Sequence, residues 1–363
     1  MTDLPRPAIT KPICVVIDTN IWREHYLLNS PTGKALEHAV RAKGGRIALP
    51  EVAEFEIVKH VVKAGIDSAK RVRDDLRKIE TITGINHPYE ELSHEYFREA
   101  VSKRLAELDD ILLRQPLTGA HAMRAIERVD KGLPPNGKDN AQFKDSVIWE
   151  SLFDLTDAYE VHFVSNDGDF YARKGQSALA PNLQEECDDR GITIHTYREL
   201  GDAVNLLAER APAFDVEALY EQVDRKMRIA IPESTRPSIE GQTSVWDDIN
   251  VSLDRLTDSK ILAYATDVLD KLSLALHLTY AVTDLTPDLP EGVAYTSLEV
   301  RGEGLYDKES DEITRIRVTS MSTTSASPRA VYWMAGFPFG GESDDSPRGP
   351  LYYEFPWPSK SPR

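Results

Sequence analysis

Cysteine is scarce: the 363 residues hold two, Cys14 and Cys187. They are far apart and match no metal-ligand spacing, and Cys14 lies inside an apolar run, where it reads as a small core residue. Long apolar runs are missing too. No stretch approaches the length of a membrane span, and the N-terminal MTDLPRPAITKP lacks the apolar core of a signal peptide. Both absences point to the cytoplasm. Net positive charge is also lacking: the formal charge is −17, which argues against a nucleic-acid binder with a general basic footprint. Internal repeats are absent. Gly44-Gly45 and Gly168 form no phosphate-cradling loop. SNDGD is not an EF-hand, since placing Gly168 sixth puts Phe163 first, where an oxygen ligand is needed. His25, His60, His87, His94 and His121 show no metal spacing.

What is present is a soluble globular composition, 41% hydrophobic and 28% charged, in a chain long enough for two domains. The charge is uneven. Residues 1–210 carry a net −7 and residues 211–363 a net −10, yet Lys59 to Lys78 holds seven basic residues against three acids. A solvated helix face and a phosphate-binding face both fit that run.

The chain opens on ICVVIDTN, Ile13 to Asn20. Its five apolar residues suit a strand buried on both faces, and Asp18 follows at the strand end, where parallel sheets place their functional crevice. A helix is expected over about Trp22–Lys43, a strand over Arg46–Pro50 and a helix over Glu51–Lys63. This strand–helix alternation marks an α/β fold with a parallel sheet flanked by helices. Residues 65–137 show no convincing strand and read as a helical insert. A periodic helix is expected over Asn140–Leu155, a strand then carboxylates over Glu160–Phe170, a helix around Leu183–Arg190 and a strand over Gly191–Tyr197.

The expected organisation is therefore an N-terminal tail (1–12), an α/β domain (13–205), a helix and linker (206–244), a smaller β-rich or α+β module (245–335) and an irregular tail (336–363). Asp202–Met227 reads as helix and 231–244 as a Pro/Ser/Thr-rich linker. In the module, LALHLTYAV and TRIRVTSMS alternate like antiparallel strands.

Four acidic stations fall on what should be one sheet edge: Asp18; Glu51, Glu54 or Glu56 at the start of the helix after the second strand; Asp145; and Asp167 with Asp169. Each has a bland reading, as a helix cap, a turn or a partner of a helix dipole. Their coincidence at successive element ends has none. Clustered carboxylates repel, and a divalent cation relieves the repulsion; oxygen ligands without His or Cys favour Mg²⁺ or Mn²⁺. Such an ion activates water and stabilises the leaving oxygen of a phosphodiester. A haloacid-dehalogenase-like phosphatase would need a second Asp at position 20, where Asn20 stands.

VVIDTN, the PEVAEFEI segment with Glu56-Ile57, KDSVIW and SNDGDF resemble, in order and on the expected elements, the four acidic motifs of PIN-domain ribonucleases. The resemblance spans about residues 10–200. It implies an Mg²⁺- or Mn²⁺-dependent endonuclease acting on single-stranded or structured RNA. Carried onto this chain, it implies Asp18, Glu56 (or Glu54), Asp145 and Asp167 as catalytic metal ligands sharing one ion, with Asp169 as an auxiliary ligand. Thr19, Asn20, Ser165 and Asn166 would be supporting groups. Lys59, Lys63, Lys70 and Arg71 are candidate nucleic-acid contacts. A DNA nuclease with the same site, and a non-catalytic module working through the C-terminal region, stay open. So do a role as a toxin or defence effector, an inhibitory or regulatory protein partner, and a homo-oligomer. No membrane association is expected.

Overall fold

The computed structural model describes residues 11–136, 142–172, 177–211, 216–235, 251–284 and 295–325. The N-terminal residues 1–10, the expected linker beyond residue 235 and the tail at 336–363 lie outside the described residues. The chain forms two compact units, Met1–Ala208 and Glu209–Arg363.

In chain order the first unit runs β1 (Ile13–Ile17), α1 (Thr19–Glu24), α2 (Pro31–Ala42), β2 (Arg46–Pro50), α3 (Glu51–Thr83), α4 (His94–Ala106), β3 (Leu112–Gln115), α5 (Gly119–Asp130), α6 (Phe143–Phe153), β4 (Glu160–Val164), α7 (Pro181–Asp189), β5 (Ile194–Tyr197) and α8 (Leu200–Leu207). The five strands form one sheet in the order β3-β2-β1-β4-β5, and every pairing is parallel. All five residues of β1 are buried, as a central strand covered on both faces requires. The chain moves outward from β1 through β2 and β3, then returns to β1's other side for β4 and β5. That reversal puts the topological switch point between β1 and β4, where such sheets open a crevice beyond their carboxyl ends.

Three departures from expectation have identifiable causes. The helix expected over Trp22–Lys43 is two helices. Between them Tyr26, Leu27 and Leu28 take left-handed φ values of 48°, 58° and 61°, costly for side chains of this size. Ser30 caps α2 by accepting from the Gly33 N–H at 3.1 Å, and Pro31 opens it. A Cβ at Gly33 would stand 2.5 Å from Leu28 Cα, so glycine is needed there. Arg104 then reaches in from α4. Its Nε donates to Leu27 O at 3.0 Å and its Nη2 to Leu28 O at 3.3 Å, and it pairs with Glu37 of α2. Arg104 and Glu37 are both buried. Burial holds the Glu37 carboxyl above the usual range in spite of the Arg104 and Lys34 charges beside it.

The second departure is α3, which passes its expected end at Lys63 and runs to Thr83, where Gly84 in the left-handed region (φ 68°) stops it. Among its residues only Ala53, Ile57 and Val62 are buried. Beyond Val62 the helix extends past the core, with α4 packed along it. The third is β3, a strand inside the stretch expected to be wholly helical. Its four residues carry too little alternation to signal a strand, and pairing with β2 makes them one.

The second unit holds α9 (Tyr220–Thr235) and four long strands, β6 (Val251–Ala265), β7 (Lys271–Asp284), β8 (Tyr295–Asp307) and β9 (Glu312–Ser325). They form an antiparallel meander in sequence order, and the two alternating runs noted above fall in β7 and β9. Val223, Met227 and Ala230 of α9 share a core with Leu274, Leu276, Val300 and Ile313 of the sheet, so this unit is α+β. The single helix expected over Asp202–Met227 is split between α8 and α9, one in each unit. Among the described residues no helix is long and apolar enough to cross a membrane.

The Glu37–Arg104 pair yields a test. Replacing Arg104 by Ala strands a buried carboxylate and uncovers two carbonyls, and is expected to cost about 3–5 kcal/mol. The combined Glu37→Gln, Arg104→Met protein should recover most of that loss in urea unfolding. Equal destabilisation of both proteins would show that the pair's charge is not what matters.

Candidate active site

The crevice between β1 and β4 is built from the residues that directly follow each strand. The Asp18 N–H donates to Val164 O at 2.9 Å, carrying the β1–β4 ladder one residue beyond the strand. Asp18 then caps α1, its Oδ1 accepting from the Thr19 N–H at 2.6 Å. Its other oxygen accepts from the Ser165 hydroxyl at 2.8 Å. Asp18 is 2% exposed. Burial pushes its carboxyl up to about 6, the Ser165 hydrogen bond opposes this, and Asp167 and Glu56 add repulsion.

Ser165 is fully buried and works in two directions. While its hydroxyl donates to Asp18, its oxygen accepts from the Asp167 N–H at 3.1 Å. Its carbonyl accepts from the Tyr171 hydroxyl at 2.6 Å, fixing the backbone of the turn after β4. Asp167 caps the single helical turn that follows, accepting from the Asp169 N–H at 2.9 Å. One hydroxyl thus ties the first acidic station to the fourth.

Asp145 lies in the first turn of α6. Its carboxyl is pushed from the ordinary 3.8 to about 8, first by burial, then by the charges of Asp18, Asp167, Glu56 and Asp169. Those five acids therefore share one electrostatic neighbourhood. Glu56, on α3, is steadied by cations. Lys144 Nζ donates to it at 2.9 Å and His60 Nε2 lies 3.5 Å away. Burial raises its carboxyl, but Lys144 and His60 outweigh that and hold it below the usual range.

Glu54 is turned elsewhere, pairing with Arg114 of β3 at 3.5 Å. Glu51 accepts from the Leu117 N–H at 2.8 Å. Asp169 is exposed and bonded to the Gln142 amide. Asn20 is half-buried in α1, and Asn166 is exposed, its carbonyl accepting from Arg198 at 3.4 Å. The Thr19 hydroxyl is buried without a hydrogen-bond partner among the described residues. Lys59, Lys63 and Lys70 share one side of α3, Arg71 lies about a third of a turn from Lys59 and bonds Ser68 at 3.1 Å, and all four are exposed.

Reading by motif passed over Lys144, Gln142 and Phe55. Lys144 directly precedes Asp145, and a cation next to an acidic station is the signal that could have marked it. Phe55 sits between Glu54 and Glu56, 70% exposed. By spacing it falls in line with the buried Val62, so periodicity alone reads it as a core residue and gives no signal of its exposure.

The donor set fits a hard divalent cation: every candidate ligand is a carboxylate, burial and then neighbouring charge raise two of them, and the buried Thr19 hydroxyl lacks a partner among the described residues. The arrangement itself is not closed around an ion. Among the described residues no group of three or more Asp, Glu, His or Cys is placed to hold one, because Glu56 is committed to Lys144 and Asp169 to Gln142. The four expected acids lie in one electrostatic neighbourhood.

Compared with protein-family models, residues 15–170 match one, described as PIN domain. The match takes in Asp18, Glu56, Asp145 and Asp167. No curated protein matches the chain.

The raised carboxyls make stability depend on pH. A group whose folded pKa lies above its unfolded value stabilises the fold below the unfolded pKa and loses that contribution as pH rises through the folded one. For Asp145 the window runs from about 4 to about 8, and for Asp18 from about 4 to about 6. In a chelator, the melting temperature should fall between pH 5 and pH 8. Asp145→Asn should flatten that fall by on the order of a few kcal/mol. Parallel pH profiles for the two proteins would remove Asp145 as the titrating group.

Proposed function

We propose, from the match of residues 15–170 to a PIN-domain family model, that the protein is an Mg²⁺- or Mn²⁺-dependent endoribonuclease. PIN domains are generally metal-dependent nucleases. The observation that carries the reading is the acid cluster at the β1–β4 switch point. There burial first, and the charges of the neighbouring acids second, push the Asp18 carboxyl up to about 6 and the Asp145 carboxyl up to about 8. A site made in this form is short of positive charge.

Asp18, Asp145, Glu56 and Asp167 would hold the ion, with Asp169 as an outer ligand. When bound, the ion supplies Lewis-acid activation of water and neutralises charge developing on a phosphodiester. The protein's own groups provide the rest. Ser165 and the Thr19 N–H aim the two Asp18 oxygens, as outer partners orient a ligand. Lys144 neutralises Glu56 and would supply an ammonium to a phosphodiester bound at the cluster. The Thr19 hydroxyl is free to accept or donate to a water in the crevice.

A non-catalytic reading keeps one observation in its favour: Lys144 already neutralises Glu56. In that version the second unit would engage a regulatory protein or a second copy. One assay separates the readings. Wild-type protein and Asp18→Asn are incubated with labelled single-stranded RNA and DNA in Mg²⁺, Mn²⁺ or EDTA. The expected result is internal cleavage of RNA by the wild type, at least 100-fold slower in the variant and abolished by EDTA. Mn²⁺ should also raise the wild-type melting temperature at pH 8, and not that of Asp18→Asn. DNA cut in preference to RNA would reassign the substrate. No cleavage and no Mn²⁺ shift would favour the binding module. A toxin or defence role predicts growth arrest on expression of the wild type alone.

A further inference from the structure

The outer part of α3 has a use that the acid cluster does not explain. At 100° per residue, Phe55, Lys59, Lys63, Lys70 and Arg77 fall within about 80° of the helix circumference. All five are exposed, and Glu56 lies just beyond the edge of this arc. The stripe therefore starts beside an acid of the cluster and runs outward. From Lys59 to Arg77 it covers roughly 27 Å.

The strip of the helix that packs adjoins this arc: at 100° per residue Arg73 falls in line with Phe55, Ile66 about 20° to one side and Ala69 about 40° to the other. Ile66, Ala69 and Arg73 are half-buried there, the Tyr89 hydroxyl donates to Ala69 O at 3.1 Å, and Arg73 pairs with Glu91. Lys59, Lys63, Lys70 and Arg77 stay exposed beside the hairpin partner, and Lys70 shares a small cavity with Tyr89, Glu91 and Leu92. Asp67 and Asp74 flank the basic arc, and Asp74 is drawn to Arg73 and Arg77 at 3.7 and 3.8 Å. Lys59, Lys63 and Lys70 have no ion-pair partner among the described residues. A helix kept soluble by charge would mix signs on its open face. This one gathers cations into a line on a chain of net −17.

At the inner end stands Phe55, 70% exposed beside Glu56. A ring offered to solvent next to a phosphodiester-cutting site is a stacking platform for an unpaired base, and a duplex keeps its base faces occupied. We infer that the α3 stripe is the docking track for a single-stranded RNA, which lays its phosphates along Lys59, Lys63, Lys70 and Arg77 and stacks one base on Phe55. The inference rests on the ribonuclease reading above. Arg71, about a third of a turn from Lys59 and bonded to Ser68, lies off the track.

The test measures binding in EDTA, where cleavage cannot interfere. An unstructured, fluorescein-labelled RNA 15-mer is titrated with the full chain and followed by anisotropy. Replacing Lys63, Lys70 and Arg77 together by Glu should weaken binding at least tenfold at low salt. It should also reduce the slope of log affinity against log salt by about 2, from about 0.7 for each lost phosphate contact. Phe55→Ala should weaken binding by about five- to a hundredfold with the slope unchanged, and Phe55→Trp should restore it. Circular dichroism at 222 nm checks that α3 survives, and a Lys63→Gln, Lys70→Gln, Arg77→Gln protein repeats the experiment without charge reversal.

Unchanged affinity and slope in the triple variants would overturn the track. Duplex RNA held as tightly as single strands would overturn the unpaired-base assignment, and tighter binding of single-stranded DNA would overturn RNA as the occupant. Because cleavage is not read, stripe-dependent binding by a protein that cuts nothing would sink the nuclease reading and leave the track standing.

Discussion

Mutual repulsion among carboxylates in a partly dehydrated crevice is the constraint around which the N-terminal unit is arranged. Gathering five acids where water is limited is unfavourable, and the chain manages it with a small set of fixed donors. The Ser165 hydroxyl, the Thr19 and Asp169 N–H groups, the Lys144 ammonium and the Gln142 amide each take one carboxylate. None of them cancels the excess, as the raised carboxyls of Asp18 and Asp145 show. Those donors come from the turns after β1 and β4 and from the start of α6. The sheet order, which makes β1 and β4 neighbours, is therefore a condition for the cluster.

The neighbouring parts can be understood as support for that edge. The left-handed turn at Tyr26–Leu28 reverses the chain between α1 and α2, and Arg104 with Glu37 fastens the reversal to α4. α3 begins with Ala53 and Ile57 packed into the core and so fixes the face that presents Glu56. Farther out the same helix leaves the core, and its sequence changes character from apolar anchoring to aligned charge. One helix thus serves two environments, which explains why its composition resists a single reading.

Much of the fold was legible in the chain itself, and what was missed has common physical causes. β1, β2, β4 and β5 announce themselves as short apolar runs with turn residues after them. The acids stood out because they recur at element ends, and the identity of the second acid stayed open because Glu51, Glu54 and Glu56 differ only in which way their helix faces. The coordinates separate them: Glu54 meets Arg114 and Glu56 meets Lys144. Arg114 belongs to β3, a strand made by its partner and not by its own pattern, so no local reading could have placed it. The break at Tyr26–Leu28 was invisible for a similar reason. Leu27 and Leu28 look like helix residues, and the guanidinium that holds their carbonyls lies 77 positions downstream of Leu27. In the second unit, alternation along β7 and β9 was clear, while α9 merged with α8 because nothing in composition marks the change of unit between them.

The hydrogen bond from Ser165 to Asp18 joins groups 147 positions apart, and that separation has a bearing on how such a protein is made. A polypeptide emerges from the ribosome N-terminus first, surrounded by RNA. Asp18 leaves well before β4, the strand that seats beside β1 and brings Ser165 and Asp167, which is the fourth of the unit's five strands to be synthesised. Loop-closure entropy must be overcome before so distant a contact forms. Every shorter nascent chain lacks the wall that turns Asp18 from a helix cap into part of an acidic crevice. The order of strands along the chain therefore makes the acidic crevice a late product of synthesis, formed only once β4 can reach β1.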